Sequence, residues 1–339
     1  MTSKAGSLAN TPTNMNKNRF LSLLAIGLLA DNVAWAQNTA TTTPVGYVTA
    51  TIGGNTSGNT EGAATFVSAS LHNPVVYAAA ATASPSGGSV VNLPTGVPAN
   101  LDGSYLLEIT NGSQEGWWTT IVSSDSTSIT VADEFPASLA SDVAVSVRKF
   151  TTLQDIFGEN TPGLTPFSNE NPYDEIQVLD PVNQAVSQII RVGGDWMNAV
   201  TEEVVDDLIV YPGTAVKVIR KGATPLQLVV SGSVKVTKTQ VDVYANDNWI
   251  GQITPVLSTF SNLNFGSQLA ATDLVNVIRP DNGNAQIVEE FIAFNGSMYN
   301  SVTEELADSE LIADGGGIII RRSTGQAGPI IIPAPAIGQ

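Results

Sequence analysis

"DEIQVLDPVNQAVSQIIRVGGDWMNAVTEEVVDDLIVYPGTAVKVIRK" occupies Asp174–Lys221, and much of it returns in "DLVNVIRPDNGNAQIVEEFIAFNGSMYNSVTEELADSELIADGGGIIIRR", Asp273–Arg322. Each copy opens with a short alternating run that stops at a proline, Pro181 or Pro280. A second run follows. Then a glycine turn (Gly194, Gly296) leads to a short aromatic-containing run with Trp196 or Tyr299. An acidic phrase comes next, and a glycine turn and a β-branched run ending in two basic residues close the copy. Alternation over five to eight residues between turn residues is the pattern of strands, and self-similarity of this length is the pattern of a repeat-built fold. "YPGT" (Tyr211–Thr214) has proline and glycine where a type II turn requires them.

The same punctuation extends outward. "GYVTATI" (Gly46–Ile52), "YLLEIT" (Tyr105–Thr110), "TSITVA" (Thr127–Ala132) and "VAVSVRK" (Val143–Lys149) read as further strands. Residues 105–149 form a fainter third copy that lacks the acidic phrase, and residues 232–258 weakly echo 46–77. "TTLQDIFG" (Thr151–Gly158) and "STFSNLNFG" (Ser258–Gly266) have room for a helical turn. Charged residues are only 13% of the chain, so the long solvated helix faces rich in Lys and Glu are missing. The expected fold class is all-β with short helical turns, built as tandem small β-sandwich or barrel-like units from internal repeats.

The expected organisation begins with a signal peptide at 1–36. Lys17 and Arg19 precede the apolar "FLSLLAIGLLA" (Phe20–Ala30), and "AWA" ends at Ala36. The apolar run is too short to span a bilayer and has the layout of an export signal; translation from Met1 or Met15 would serve equally. A first β domain follows at 37–157, and a Pro/Asn/Gly-rich linker at 158–172. A second β domain, 173–322, holds the repeats 174–221 and 273–322, and an apolar tail takes up 323–339.

Composition excludes several functions. The chain has no cysteine, which removes disulfides, thiolate metal sites and cysteine nucleophiles. Net charge is −17, and it becomes −19 once residues 1–36, with Lys4, Lys17, Arg19 and Asp31, are removed. Such a surface repels nucleic acid and anionic membrane. After the signal no apolar run is long enough to insert in a membrane as a helix. His72 is the single histidine, and no nucleophile-elbow or phosphate-loop motif is present, so the chain is not expected to be an enzyme or to need a cofactor.

Four features could carry chemistry. The acidic phrases supply Glu202, Glu203, Asp206 and Asp207 in one copy and Glu304, Glu305 and Asp308 in the other. Clustered carboxylates suit Ca²⁺, although no EF-hand spacing is present. A hydrolase would need two of them facing across a cleft. The phrase reads best as a turn inside a duplicated unit, neutralised by the basic ending of the same or a neighbouring unit. Those endings, Arg148–Lys149, Arg220–Lys221 and Arg321–Arg322, hold six of the 11 basic residues beyond residue 36. Trp117, Trp118 and Trp196 are candidate glycan contacts, and adjacent Trp117 and Trp118 on a strand must face opposite ways. Ile330, Ile331 and Ile332 in the tail could add a strand to a neighbouring copy.

The export signal, the "GYVTATI…VSASLHNPVV" block, the Gly–Trp steps and the strands ending "PGTAVKVIRK" and "GGGIIIRR" resemble an uncharacterised family of exported proteins of Verrucomicrobia-type bacteria. The resemblance implies an exported bacterial setting and a repeat-built β fold, with no catalytic residues to carry over. The expected function is that of an exported structural or adhesive protein, at the cell surface, outside the cell or in the periplasm, with self-association by strand addition. A carbohydrate-binding module is the alternative, and a secreted hydrolase with paired carboxylates the third reading.

Overall fold

A computed structural model describes residues 44–56, 58, 60–82, 87–158, 163–251, 255–256, 258–280, 286–312, 317–323 and 328–335. The expected signal peptide lies outside the described residues. The body that begins at Thr43 is a single compact unit. Its strands start with β1 (Val45–Ile52), β2 (Ala63–Ser68), β3 (Val75–Ala80) and β4 (Val90–Asn92). β5 (Tyr105–Ile109), β6 (Trp118–Ser124), β7 (Ser128–Val131), β8 (Ala144–Lys149) and β9 (Thr151–Thr152) follow, then helix α1 (Leu153–Phe157). The first quoted copy supplies β10 (Glu175–Asp180), β11 (Ala185–Val192), β12 (Asp195–Asn198), β13 (Ile209–Val210) and β14 (Ala215–Arg220). β15 (Leu226–Ser233), β16 (Thr239–Val241) and β17 (Asn246–Gly251) lead to the short helices α2 (Phe260–Leu263) and α3 (Phe265–Gln268). The second copy supplies β18 (Leu274–Pro280), β19 (Gln286–Phe294), β20 (Ser297–Asn300) and β21 (Gly317–Arg322), and β22 (Ile330–Ile332) comes last.

Two five-stranded antiparallel sheets share one order. The first runs β12-β11-β10-β14-β2 and the second β20-β19-β18-β21-β17. Each packs one face against a two-stranded ribbon, β1-β15 or β16-β22, and a short helical segment. Ile52, Val67, Ile156, Trp196, Val218 and Leu228 fill the first core; Ile250, Phe260, Val277, Met298, Ile320 and Ile332 fill the second. Alternation dictates this, since residues two apart on a strand reach the same side. The opposite faces of the two sheets meet around Phe66, Ala215, Trp249, Ile278 and Ile319, with the rings of Phe66 and Trp249 edge to face at 5.3 Å. Gly251 and Gly317 allow that approach: a Cβ on Gly251 would lie 2.3 Å from Ser68 Cβ, and one on Gly317 would lie 3.0 Å from Phe66 Cβ.

Residues 75–149 form a third assembly, ordered β3-β8-β5-β6-β7-β4. Thr82 N–H bonds to Asn92 O at 2.8 Å and joins the chain after β3 to β4, which closes the order into a small barrel. This barrel is inserted between β2 and β9. β1 and β2, in turn, pair with β15 and β14 from beyond residue 172. The expected boundary at 158–172 therefore does not separate the sheets. Pairing partners this far apart in the chain leave no local signature in the sequence.

The apolar tail is part of the second unit rather than a free strand. Ile330 and Ile332 pair with Val241 and Thr239 of the same chain and are buried in the second core, so β22 is a structural strand here. The Gln268 side chain covers its outer edge, accepting from Ile331 N–H at 2.6 Å and donating to Ile331 O at 3.0 Å. Among the described residues no helix is long and apolar enough to cross a membrane.

Candidate functional site

The acidic phrases share their backbone hydrogen bonds and their asparagine turn. Asn198 Oδ1 accepts from Val200 and Thr201 N–H at 2.9 and 3.1 Å; Asn300 Oδ1 accepts from Val302 and Thr303 N–H at 2.9 and 3.0 Å. This is an Asx turn, in which the side chain replaces a backbone acceptor. Glu202 and Glu304 then take a left-handed conformation, φ +58° and +60°, which turns the chain back. Asn198 N–H bonds to Glu203 O and Asn300 N–H to Glu305 O, at 2.9 and 3.0 Å. One carboxylate per phrase is consumed structurally: Asp206 Oδ1 accepts from Trp196 N–H and Asp308 Oδ1 from Met298 N–H, both at 2.8 Å. The residue equivalent to Trp196 is therefore Met298 rather than Tyr299.

The carbonyls of the same aspartates meet the first turns of the short helices. Gln154 N–H bonds to Asp206 O at 3.4 Å and Ser261 N–H to Asp308 O at 2.9 Å. Both helices start with a capping box, Thr152 with Asp155 and Thr259 with Asn262. The remaining acids, Glu202, Glu203, Asp207, Glu304 and Glu305, are exposed, and Asp206 and Asp308 are half-buried. Among the described residues no group of three or more His, Asp or Glu side chains is arranged to hold a metal ion. Replacing Asp206 or Asp308 with alanine should cost about 1–2 kcal/mol, as for other lost side-chain caps, while Glu203→Ala should change stability by less than about 0.5 kcal/mol. Urea unfolding of the three variants checks this, and 10 mM CaCl2 (about that concentration) should leave all the midpoints in place if the phrases are turns alone.

The basic endings do not neutralise these phrases. Arg220 Nη1 lies 3.3 Å from Asp174 Oδ2, and Arg322 Nε lies 3.5 Å from Asp273 Oδ2, with both pairs buried. Asp174 and Asp273 are the residues that open the two quoted stretches. Antiparallel pairing of the first and last strands of each copy brings them beside the arginines. Each aspartate also accepts backbone N–H bonds, from Thr165 and Lys221 at 2.8 and 2.6 Å, or from Ala270 and Ser323 at 2.9 and 3.3 Å. Each arginine donates onward to carbonyls: Arg220 to Gly163 and Thr224 at 2.6 and 2.7 Å, Arg322 to Gly328 and Gln268 at 2.8 and 3.2 Å. Arg321, the other member of its basic pair, is exposed and meets Asp247 at 2.7 Å.

The third basic ending enters a different cluster. Buried Glu108 receives Arg148 Nε at 3.7 Å and the ammonium of Lys235, and accepts from Thr237 Oγ1 at 2.9 Å. Lys235 also reaches Thr237 Oγ1 at 2.9 Å and the carbonyl of Lys238. Burial pushes the Lys235 ammonium below the usual lysine range, with the charge of Glu108 opposing that shift. This cluster fastens the barrel to the segment between β15 and β16. Beside it, Gly116 O accepts from Gln240 N–H and Trp118 Nε1 donates to Gln240 O, both at 2.9 Å.

These contacts relocate the tryptophan candidates. Trp196 is 2% exposed in the first core. Trp117 is buried in the barrel against Phe135. Trp118 is half-buried, faces the other way as adjacent strand residues must, and stacks on Tyr211 at 5.9 Å. The structure brings none of the three together as a binding face. Glu108, Lys235, Asp174 and Asp273 are the charged residues that strand patterning passed over. A charge inside an otherwise apolar alternating run, as in "YLLEIT" or "GSVKVTK", was the available signal.

No family model, curated protein or solved structure matches this chain.

Proposed function

We infer that the chain is an exported structural or adhesive protein, assembled from two copies of one β-sandwich unit with a barrel inserted into the first. Its place is the cell surface, the extracellular matrix or the periplasm. The observation that carries this reading is the repeated use of its charged groups as fasteners. The two Asp–Arg pairs, the two Asp-capped turns and the Glu108 cluster all tie loops to sheets. A net charge of −19 beyond residue 36 suits a chain that stays dispersed outside the cell and repels nucleic acid. The bacterial setting rests on the sequence resemblance alone.

Expression with the native N-terminus in a bacterial host tests export. The recovered protein should begin at Gln37 and leave the cytoplasm, so an intact N-terminus in the cytosol would refute it. Glycan-array binding tests the carbohydrate alternative, which is favoured by the exposed Tyr211 ring beside Trp118. Binding that disappears in Tyr211→Ala would replace the structural reading with that one.

A further inference from the structure

Most strand edges of the described body are closed. The barrel is closed by Thr82 and Asn92, β22 is covered by Gln268, and β16 bonds outward to Gly116. The edge strands β12 and β20 are bridged by the returning acidic phrases, Met197 to Val204 and Tyr299 to Leu306. β15 is bridged by His72 at Ser233 on the side away from β1.

β1 differs. It pairs with β15 along all eight residues, and among the described residues no backbone group bonds to its other edge. Val234 N–H bonds to Pro44 O at 2.8 Å, which makes that facing pair, and alternate pairs after it, the hydrogen-bonded ones of the ladder. The N–H and C=O groups of Val45, Tyr47, Thr49 and Thr51 consequently point outward. Their side chains share the solvent face, where Val45 is 78% and Tyr47 75% exposed. The strand most like it in the second unit, β16, is three residues long and covered.

We propose that β1 is a strand-addition site whose occupant is β1 of a second copy of this chain, in an antiparallel two-fold pair. Charge selects that occupant. None of the residues of β1 or β15 is charged, in a chain of net charge −17, so this ribbon is where two copies can meet without setting carboxylates against each other. Geometry agrees. The outward groups belong to odd-numbered residues, so odd must pair with odd. That places Val45, Tyr47, Thr49 and Thr51 of both copies on one continuous face and keeps the core-facing Ala50 and Ile52 on the other. Long uncharged edges left without a proline or lysine are the edges that pair. The inference rests on the reading as a structural protein, but it is tested by mass rather than by location.

The test is sedimentation velocity of the full chain, as recovered from the producing cell, over a concentration series. The wild type should shift from monomer to dimer. Thr49→Pro removes only an outward N–H and leaves the β15 ladder intact, so it should lose the dimer while keeping its circular dichroism and melting temperature. Should the proline disturb the strand, Thr49→Lys supplies a charged edge in its place and should lose the dimer equally. A wild type that stays monomeric throughout, or a folded Thr49→Lys that still dimerises, overturns the proposal. An exported protein that remains monomeric would refute this pairing alone, and a dimer retained in the cytoplasm would refute export alone.

Discussion

Glu108→Ala will destabilise the protein by about 3–5 kcal/mol, the usual cost of leaving buried charge without its partner. Two cations depend on this one carboxylate, Arg148 and Lys235, and all three side chains are under a tenth exposed. Glu108→Gln keeps the shape and removes the charge, so a comparable loss in that variant assigns the effect to electrostatics. Chemical unfolding monitored by tryptophan fluorescence measures both, since Trp117 and Trp118 lie in the barrel and at its junction. A loss under about 1 kcal/mol would mean that water reaches the cluster.

The same cluster predicts a dependence on alkaline pH. The folded-state pKa of Lys235 is lowered by burial. Between that value and the ordinary lysine value the unfolded chain binds more protons than the folded one. Stability contributed by this group therefore rises with pH across that window. The rise should be steeper in the wild type than in Lys235→Met, which keeps the same-direction contribution of Lys217, whose pKa is also lowered by burial. Comparing the two removes the opposite contribution of Tyr77 and Tyr244, whose pKa values are raised chiefly by burial. A wild type and Lys235→Met with parallel profiles would contradict the assignment.

Asp174→Ala and Asp273→Ala should each cost about 3–5 kcal/mol, because Arg220 and Arg322 would remain buried without their carboxylates. The two aspartates hold different units and share no partner, so the losses should add within about 0.5 kcal/mol. The contrast is Arg321→Ala. Its pair with Asp247 is solvent-exposed, 53% and 33% for the two side chains, and should contribute less than about 1 kcal/mol. Equal costs for Arg321→Ala and Arg322→Ala would show that the burial difference has been misassigned.

Strand content was legible because alternation is local. "GYVTATI", "YLLEIT" and "AVKVIRK" each form strands, "TTLQDIFG" contains α1 and "STFSNLNFG" contains α2, while α3 runs two residues past it. The acidic phrase was read as a turn, and its two occurrences have matching hydrogen bonds. Proximity in sequence points to the wrong electrostatic partner, because strand register sets which charges meet. Asp174 lies 46 residues from Arg220, and only the pairing of β10 with β14 brings them together. Ring chemistry in the sequence pairs Trp196 with Tyr299. The common offset of ten residues to a capping aspartate matches it to Met298 instead. The tryptophans looked like ligand contacts because a glycine–aromatic step has the same spelling on a surface and at an internal junction.

The inserted barrel fixes an order of events. Val45 pairs with Ser233 and Ala63 with Arg220, so the first sandwich cannot close until its last strands exist. The barrel and the second sandwich are built from nearer neighbours, and such contacts form faster. At the base of the insert, Asn73 donates to Phe150 O at 2.9 Å and to Asp155 Oδ2 at 3.2 Å, while Arg148 donates to Asn73 O at 3.1 Å. Once that clasp forms, β2 and β9 become effective chain neighbours, and the long excursion adds little to the entropy of closing the first sheet. On this topology the barrel is expected to form early and to shorten the path by which the two ends of the first unit find each other.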